Sequence, residues 1–210
     1  FSSAALAFFA GIKERIGFDT EHRGFLLTKK IKYVEDKHEV DCFLDVLKAD
    51  NLKVEDNYLE NWLDDKVVEQ VKNKVPQDKK FVLVHATSGN RKKEWSEENF
   101  AQIIEFLSNE KDVIPVFLGT KNDSQKYEKI MSFIKNPLKN QPINYCGEFD
   151  LKQSLAFTSF ASLIVGCDSG NLHMAASVKV PVIGIYGPMN WIKWCALGDN
   201  NKILHSNLPC

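Results

Sequence analysis

The sequence predicts an α/β fold in which helices cover both faces of a parallel sheet. From residue 80 onward, short apolar runs alternate with stretches of helical periodicity, which is the order found in a doubly wound domain. The apolar runs are continuous and do not alternate with polar residues. This pattern indicates strands that are buried on both faces, as in a parallel sheet.

Five apolar runs are predicted as strands, the third of them being the weakest: FVLVH (81–85), VIPVFLG (113–119), INYCG (143–147), SLIVG (162–166) and VPVIGIYG (180–187). The first helix is predicted after Ser96, a good N-cap residue, and has apolar side chains at i, i+3, i+4 and i+7 from Phe100. Further helices are expected over 122–135 and 151–160, and through His173 to Ser177.

The first 75 residues are more charged and mostly helical in pattern. Helices are expected over 36–47 and 61–75, and GFLLT (24–28) is the one strand-like run. The apolar start, FSSAALAFFAGI, lacks a basic region and is interpreted as a core helix, not a signal peptide. We predict that residues 1–60 are the remainder of a preceding N-terminal domain, 61–80 an interdomain connection and 81–210 a C-terminal α/β domain.

Composition excludes several classes of function. The net charge of −1 over 210 residues argues against nucleic acid as a partner, and no uncharged apolar run is long enough for a membrane span. The five cysteines form no CxxC pair and have no histidine at zinc spacing. We therefore expect reduced thiols in a cytoplasmic protein, with no metal site and no cofactor.

Two of the predicted strands end in unusually polar segments, HATSGNRKKEW (85–95) and CDSGNLH (167–173). Ligands of open α/β sheets bind at the carboxyl ends of the strands, and a helix N-terminus favours an anion such as a diphosphate. The first segment offers the hydroxyls of Thr87 and Ser88, a tight turn at Gly89 and the cations of 91–93. Together the two segments indicate a phosphate clamp.

Less specific interpretations of these segments remain open. The second segment would equally suit a plain N-cap at Asp168 or Ser169 followed by a core helix in which His173 is merely packed. The three basic residues of the first segment could be a solvated charge run. Neither a P-loop nor a GxGxxG fingerprint follows any strand, and no nucleophile–base arrangement can be assigned from spacing.

The motifs resemble glycosyltransferase family 9, the ADP-heptose:lipopolysaccharide heptosyltransferases. The most specific match is the D-S/T-G-x-x-H-x-A-A block with its following P-x-I-x-x-Y/F-G-P. The similarity covers nearly the whole chain, in these segments: VHATSGNRKKEWSEENFAQII (84–104), FLGTKND (117–123), CGEFDL (146–151), VGCDSGNLHMAASVKVPVIGIYGP (165–188), the closing SNLPC, and upstream GIKERIGFD with HR and KHEV. The resemblance implies the GT-B architecture, two Rossmann-like domains with the active site between them. Residues 1–60 would then be the remainder of the N-terminal acceptor-binding domain, and 81–210 the C-terminal nucleotide-sugar-binding domain.

The same resemblance implies roles for single residues in donor binding. The donor diphosphate would be held by two hydroxyls, a lysine and the first backbone groups of a helix: Thr87, Ser88, Lys93, Ser169, Gly170, Asn171 and Leu172. Asp168 would face the donor sugar, and His173 would brace the loop. Asp123 stands where the family usually has a glutamate that grips the ribose, and Phe149 stands where an apolar side chain covers the base.

The resemblance also implies what the chain is expected to lack. The family's proposed catalytic base is an acid in a glycine-rich loop near the start of its first domain, and no such loop precedes Phe1. We expect a fragment whose catalytic base lies upstream, and which binds nucleotide without transferring sugar. Arg15, Arg23 and His38 are candidates for contact with an anionic acceptor or, equally, for surface ion pairs.

The function that the resemblance implies is inverting, metal-independent transfer of heptose from ADP-heptose. The acceptor would be the inner core of a lipid-linked oligosaccharide, lipopolysaccharide, with peripheral contact at the cytoplasmic face of the inner membrane. Two alternatives remain: a glycosyltransferase that uses a UDP-sugar on the same scaffold, and a nucleotide- or sugar-binding module without catalysis. Comparison of ADP with UDP binding separates the first alternative from the leading hypothesis.

Overall fold

The computed structural model describes residues 2–206, which fall into two compact units. The first unit runs up to Asn57 and also includes Ile192–Trp194, and the second contains Tyr58–Trp191 and the chain from Cys195 onward. The three-part division predicted from the sequence stays a prediction. Residue 1 and residues 207–210, which hold most of the closing SNLPC segment, lie outside the described residues.

Among the described residues up to Asn57, the first unit contains two short parallel strands and two helices. Its elements are α1 (Ser2–Phe9), β1 (Ile16–Phe18), β2 (Lys29–Ile31) and α2 (Glu39–Ala49). β1 and β2 pair in parallel, with Ile16 opposite Lys29. The sequence pattern missed both strands because each is only three residues long and β2 begins with two lysines.

Two expectations for the first unit are wrong. GFLLT is not a strand, because Gly24–Leu26 forms a 3₁₀ turn between the two strands. The predicted core helix forms as α1, but it is not a core element: Ala4 is buried, whereas Leu6 and Phe9 are 72% and 84% exposed. The apolar side chains of this short helix are not confined to one face. Packing of one face therefore leaves the apolar side chains on the other faces exposed.

The second unit contains a parallel sheet with helices on both faces. Its strands are β3 (Phe81–His85), β4 (Ile114–Phe117), β5 (Ile143–Asn144), β6 (Leu163–Cys167), β7 (Val182–Tyr186) and β8 (Lys202–His205). Its helices are α3 (Asp65–Lys72), α4 (Glu97–Glu105), α5 (Ser124–Met131), α6 (Leu151–Thr158) and α7 (Gly170–Ser177), and the short α8 (Trp191–Trp194) begins in it.

The strand order within residues 2–206 is β5-β4-β3-β6-β7-β8, and every pair is parallel. The chain builds outward from β3 to β5 on one side, then starts again with β6 beside β3 and builds outward on the other. The point between β3 and β6 is therefore the topological switch point of the sheet. This arrangement confirms the predicted α/β fold class.

Alternation along the strands divides the core into two layers. Phe81 and Leu83 of β3 pack in one cluster with residues of α3, α6 and α7, whereas Val82 and Val84 pack in the other with residues of α4 and α5. Neighbouring residues of a strand point to opposite faces, so both faces of β3 are buried. This is why its sequence is a continuous apolar run.

Several predicted boundaries differ from the observed ones. The helix expected over 61–75 begins only at Asp65, because the Asp64 carboxylate accepts the Lys66 amide and caps it there. β5 is only two residues long. β8 was not predicted, because it is an exposed edge strand without an apolar run. Among the described residues, no helix is long and apolar enough to cross a membrane.

Candidate functional site

A cavity of about 480 Å³ lies at the switch point of the sheet. It is lined by His85 at the end of β3 and by residues that follow β3, β4, β5 and β6: Thr87, Ser88, Gly89, Leu118, Gly119, Thr120, Asp123, Phe149, Asp150, Leu151, Ser154, Ser169, Asn171 and Met174. A second cavity, of about 740 Å³, shares His85, Ser169 and Asn171 with the first and extends to Gly170 and His173. Both cavities therefore lie at the carboxyl ends of the strands, where the sequence predicts that a ligand binds.

The start of α7 differs from the starts of the neighbouring helices. Asp64, Ser96 and Asp150 cap α3, α4 and α6 by accepting a backbone N–H with their side chains. Ser169, before α7, makes no such bond, and its buried hydroxyl has no hydrogen-bond partner among the described residues. Because the first amides of a helix have no partner within it, the start of α7 is available to an anionic ligand.

The two polar segments are joined by an ion pair. The Lys93 ammonium lies 2.8 Å from Oδ2 of Asp168, whose side chain is 8% exposed. The Ser88 hydroxyl donates a 2.8 Å hydrogen bond to the backbone carbonyl of Asp168. The structure therefore brings Lys93 and Asp168 into contact. The resemblance implies different roles for them, with Lys93 binding the donor diphosphate and Asp168 facing the donor sugar.

His85, the last residue of β3, is a site residue that the sequence analysis did not single out. It is 7% exposed, and burial lowers its pKa. Its Nδ1 lies 3.2 Å from the Leu118 carbonyl oxygen, and its Nε2 lies 3.4 Å from the Thr87 hydroxyl. The amide nitrogen of Asn171 is 2.9 Å and 3.2 Å from the two ring nitrogens. The sequence did contain a signal for this residue, because His85 is the one polar residue in the apolar run FVLVH (81–85) and stands at its end.

A second missed group supports the loop that follows β3. Glu94 accepts the Ser88 amide at 3.1 Å and pairs with Lys126 of α5 at 2.9 Å. Lys126 also pairs with Glu97 of α4, at 3.1 Å. These side chains are mostly buried, so the network holds the loop against both helices. Nothing in the local sequence indicated that these residues meet.

Asp123 and Phe149, which are expected to contact the ribose and the base of the donor, already have partners within the protein. Oδ2 of Asp123 accepts the Thr120 amide at 2.6 Å and the Thr120 hydroxyl at 2.8 Å. This carboxylate therefore caps its own turn while lining the cavity. Phe149 stacks on Phe157 with ring centroids 5.1 Å apart, and its ring lies 5.3 Å from that of Tyr145. Phe149 thus forms an apolar wall of the cavity.

The remaining predicted residues lie along α7. The Leu172 side chain is fully buried in the core, and its backbone N–H donates to the Ser169 carbonyl at 3.2 Å. A Cβ on Gly170 would meet nothing within 4 Å. His173 lines the second cavity and not the first. Within residues 2–206, no three His, Cys, Asp or Glu side chains form a potential metal-binding group.

The acceptor candidates in the first unit make local structural contacts. Arg15 donates to the Leu26 carbonyl at 2.6 Å, and Arg23 donates to the Phe18 carbonyl at 3.0 Å. The His38 ring accepts the Val40 amide at 3.2 Å and caps α2. Each of these side chains therefore stabilises a turn or a helix end.

Fold and cavity define a Rossmann-like α/β protein whose polar site lies at the switch point. The model of the family described as glycosyltransferase family 9 (heptosyltransferase) matches residues 1–210. The chain therefore belongs to glycosyltransferase family 9, as the sequence motifs predicted.

Two curated relatives are lipooligosaccharide heptosyltransferases 2. The protein of Haemophilus influenzae is 28% identical over an alignment of 210 positions, and the match covers 89% of this chain and 57% of the relative. That of Haemophilus ducreyi is 29% identical over an alignment of 205 positions, and the match covers 90% of this chain and 58% of the relative. The chain thus spans less than three fifths of the length of either relative.

Solved structures share the fold. The E. coli ADP-heptose lps heptosyltransferase II has a TM-score of 0.77 at 20% identity, covering 97% of this chain and 65% of that one. The glycosyl transferase family 9 protein of Veillonella parvula has a TM-score of 0.79 at 20% identity, covering 97% and 59%. E. coli heptosyltransferase WaaC with ADP has a TM-score of 0.64 at 15% identity, covering 88% and 55%.

Proposed function

We propose that this chain supplies the donor-binding part of a heptosyltransferase that transfers heptose from ADP-heptose to the inner core of lipopolysaccharide. The observation that carries the proposal is the uncapped start of α7 beside the Lys93–Asp168 pair at the switch point. A helix N-terminus and a nearby ammonium attract a diphosphate. Relatives named as heptosyltransferases and a solved family member with ADP support the choice of donor.

The proposed donor lies across the carboxyl edge of the sheet. Its diphosphate meets the first amides of α7, the hydroxyls of Thr87 and Ser88, and Lys93. The ribose approaches Asp123, whose second carboxylate oxygen makes none of the bonds to Thr120. The base packs on the wall formed by Phe149.

In this proposal Asp168 faces the donor sugar and His173 braces the helix start. As the glycosidic bond breaks, negative charge grows on the leaving ADP. The Lys93 ammonium and the N-terminal end of α7 would stabilise that charge, because preorganised donors act most strongly where charge develops. Transfer is proposed to invert the anomeric centre and to need no metal.

The proposed acceptor is a lipid-linked oligosaccharide that the protein reaches by peripheral contact at the cytoplasmic face of the inner membrane. The names of the relatives support a lipopolysaccharide or lipooligosaccharide acceptor. Nucleic acid is not a proposed partner.

Titration calorimetry with ADP and UDP tests the donor. ADP should bind, and at a hundredfold excess over its Kd should stabilise the fold by about 2.7 kcal/mol through mass action. UDP should bind more weakly, and EDTA should leave the ADP affinity unchanged. Equal affinity for both nucleotides would support the UDP-sugar alternative, and no binding of either would contradict the proposal.

A further inference from the structure

His85 contacts three separate segments of the candidate site at once. Its ring lies against the Leu118 carbonyl after β4, the Thr87 hydroxyl after β3 and the Asn171 amide in the first turn of α7. These segments lie on both sides of the switch point. Because His85 is almost completely buried, its polar atoms depend on these contacts in place of water.

The chemistry of the partners fixes the state of the ring. A backbone carbonyl only accepts hydrogen bonds, so the Nδ1 that faces Leu118 must carry a proton. A neutral ring then offers Nε2 as an acceptor, and this atom faces the Thr87 hydroxyl at 3.4 Å. The Asn171 amide nitrogen lies near both ring nitrogens, 2.9 Å from Nδ1 and 3.2 Å from Nε2. Burial lowers the pKa of His85, which agrees with a neutral ring.

The neighbouring strand is shaped to admit this residue. His85 pairs in register with Gly166 of β6. A Cβ on residue 166 would come within 2.4 Å of the His85 carbonyl oxygen and 2.9 Å of its Cβ, closer than such atoms approach. Glycine at 166 therefore lets β3 and β6 approach each other where His85 stands.

We propose that His85 is the positioning residue of the site, holding the loop at Thr87 and the Asn171 end of α7 in the arrangement that receives the donor diphosphate. This inference rests on the proposed function. His85 acts through its two neighbours and not by contact with the reacting atoms. A neutral Nδ1–H ring supplies one donor and one acceptor in fixed directions, which no apolar residue of similar size can do.

Calorimetry with ADP and NMR of the imidazole nitrogens test the proposal on the full chain. His85→Phe should weaken ADP binding about tenfold, the scale of one or two lost hydrogen bonds. His85→Gln, whose amide reaches the position of Nε2, should recover most of that affinity. His22→Phe is the matched control, since this exposed histidine of the first unit lines neither of these two cavities nor the cavity beside Lys93.

A double-mutant cycle separates positioning from general loss of structure. Asn171→Ala should cost little further ADP affinity in the His85→Phe background, because its partner is already absent. Full additivity of the two losses would overturn the proposal. So would an unchanged affinity in His85→Phe when the parent chain binds ADP. A parent chain that binds no ADP would overturn the proposed function together with this inference.

The NMR experiment remains decisive if His85→Phe does not fold. In the parent chain at pH 7, the signal that disappears in His85→Gln should show a protonated Nδ1 and an unprotonated Nε2. An Nε2–H ring or a doubly protonated ring would overturn the proposal without any nucleotide present.

Discussion

Lys93 and Asp168 stand 75 residues apart in the sequence, and their charged atoms lie 2.8 Å apart in the structure. The pair joins the loop after β3 to the end of β6, on either side of the switch point. The ion pair therefore joins the residue proposed to bind the donor phosphates, Lys93, to the residue proposed to face the donor sugar, Asp168. Any change to one of these residues alters the electrostatic surroundings of the other.

Lys93→Ala should weaken ADP binding by roughly ten- to hundredfold, because a charge-assisted hydrogen bond is lost. It should also lower the free energy of unfolding by about 1–3 kcal/mol, since the Asp168 carboxylate remains buried without its cation. Titration calorimetry and urea unfolding measure the two effects. A loop lysine would carry little stability if it were merely solvated.

Two variants make the Lys93 experiment specific. Lys92→Ala, in the same turn but exposed, should change neither quantity. Adding Asp168→Asn to Lys93→Ala should recover stability but not ADP affinity. If Lys93→Ala binds ADP as the parent does, the phosphate clamp rests on the start of α7 alone.

Glu97 should make the protein sensitive to acid. Hydrogen bonds from Lys129 and from its own backbone amide lower the Glu97 pKa from 4.5 to about 2. A carboxyl group with a lowered folded-state pKa stabilises the fold above its unfolded pKa, and this stabilisation is lost as pH falls through the folded pKa. The loss should therefore extend from about pH 4.5 to pH 2, as measured by urea unfolding at a series of pH values.

Glu97→Gln should reduce the pH dependence of stability in that window. Glu98→Gln, an exposed neighbour in the same helical turn, is the control and should keep the slope of the parent. Equal slopes in all three proteins would show that the ion pairs of Glu97 with Lys126 and Lys129 contribute no pH-dependent stability.

Gly166→Ala should destabilise the second unit by about 1–3 kcal/mol, the usual cost of overpacking. The added Cβ would meet the backbone of β3 at His85, and a strand in the middle of a sheet cannot move aside freely. Gly89→Ala, where a Cβ would meet nothing within 4 Å, serves as the comparison. Chemical denaturation that shows the same midpoint for both variants would refute this account of Gly166.

The sequence was informative where burial and local chemistry leave a periodic signal. β3, β6 and β7 appear as apolar runs because they lie in the interior of the sheet, and Ser96 caps α4 as predicted. β8 left no such signal, because most of its side chains are exposed at the edge of the sheet. The strands β1 and β2 are too short to show a period.

The sequence predicted which types of residue form the candidate site, but it did not predict which of them contact each other. Polar strand ends and a serine–glycine helix start indicated where a ligand would bind. No local pattern shows that Lys93 meets Asp168, or that Lys126 joins Glu94 to Glu97, because these contacts depend on how distant segments pack. The role of Asp123 in capping its own turn likewise appears only once Thr120 is placed beside it.

The three residues of α8 that belong to the first unit matter for the design of chimaeric family members. Lys193 is buried there, 3.1 Å from Glu39 and 3.9 Å from the ring centroid of Tyr33. If only the residues up to Asn57 were replaced by those of another family member, Glu39 and Tyr33 would be separated from Lys193, with which they interact. A recombinant that exchanges the first unit therefore needs two crossover regions, the second of which carries Ile192–Trp194 with it.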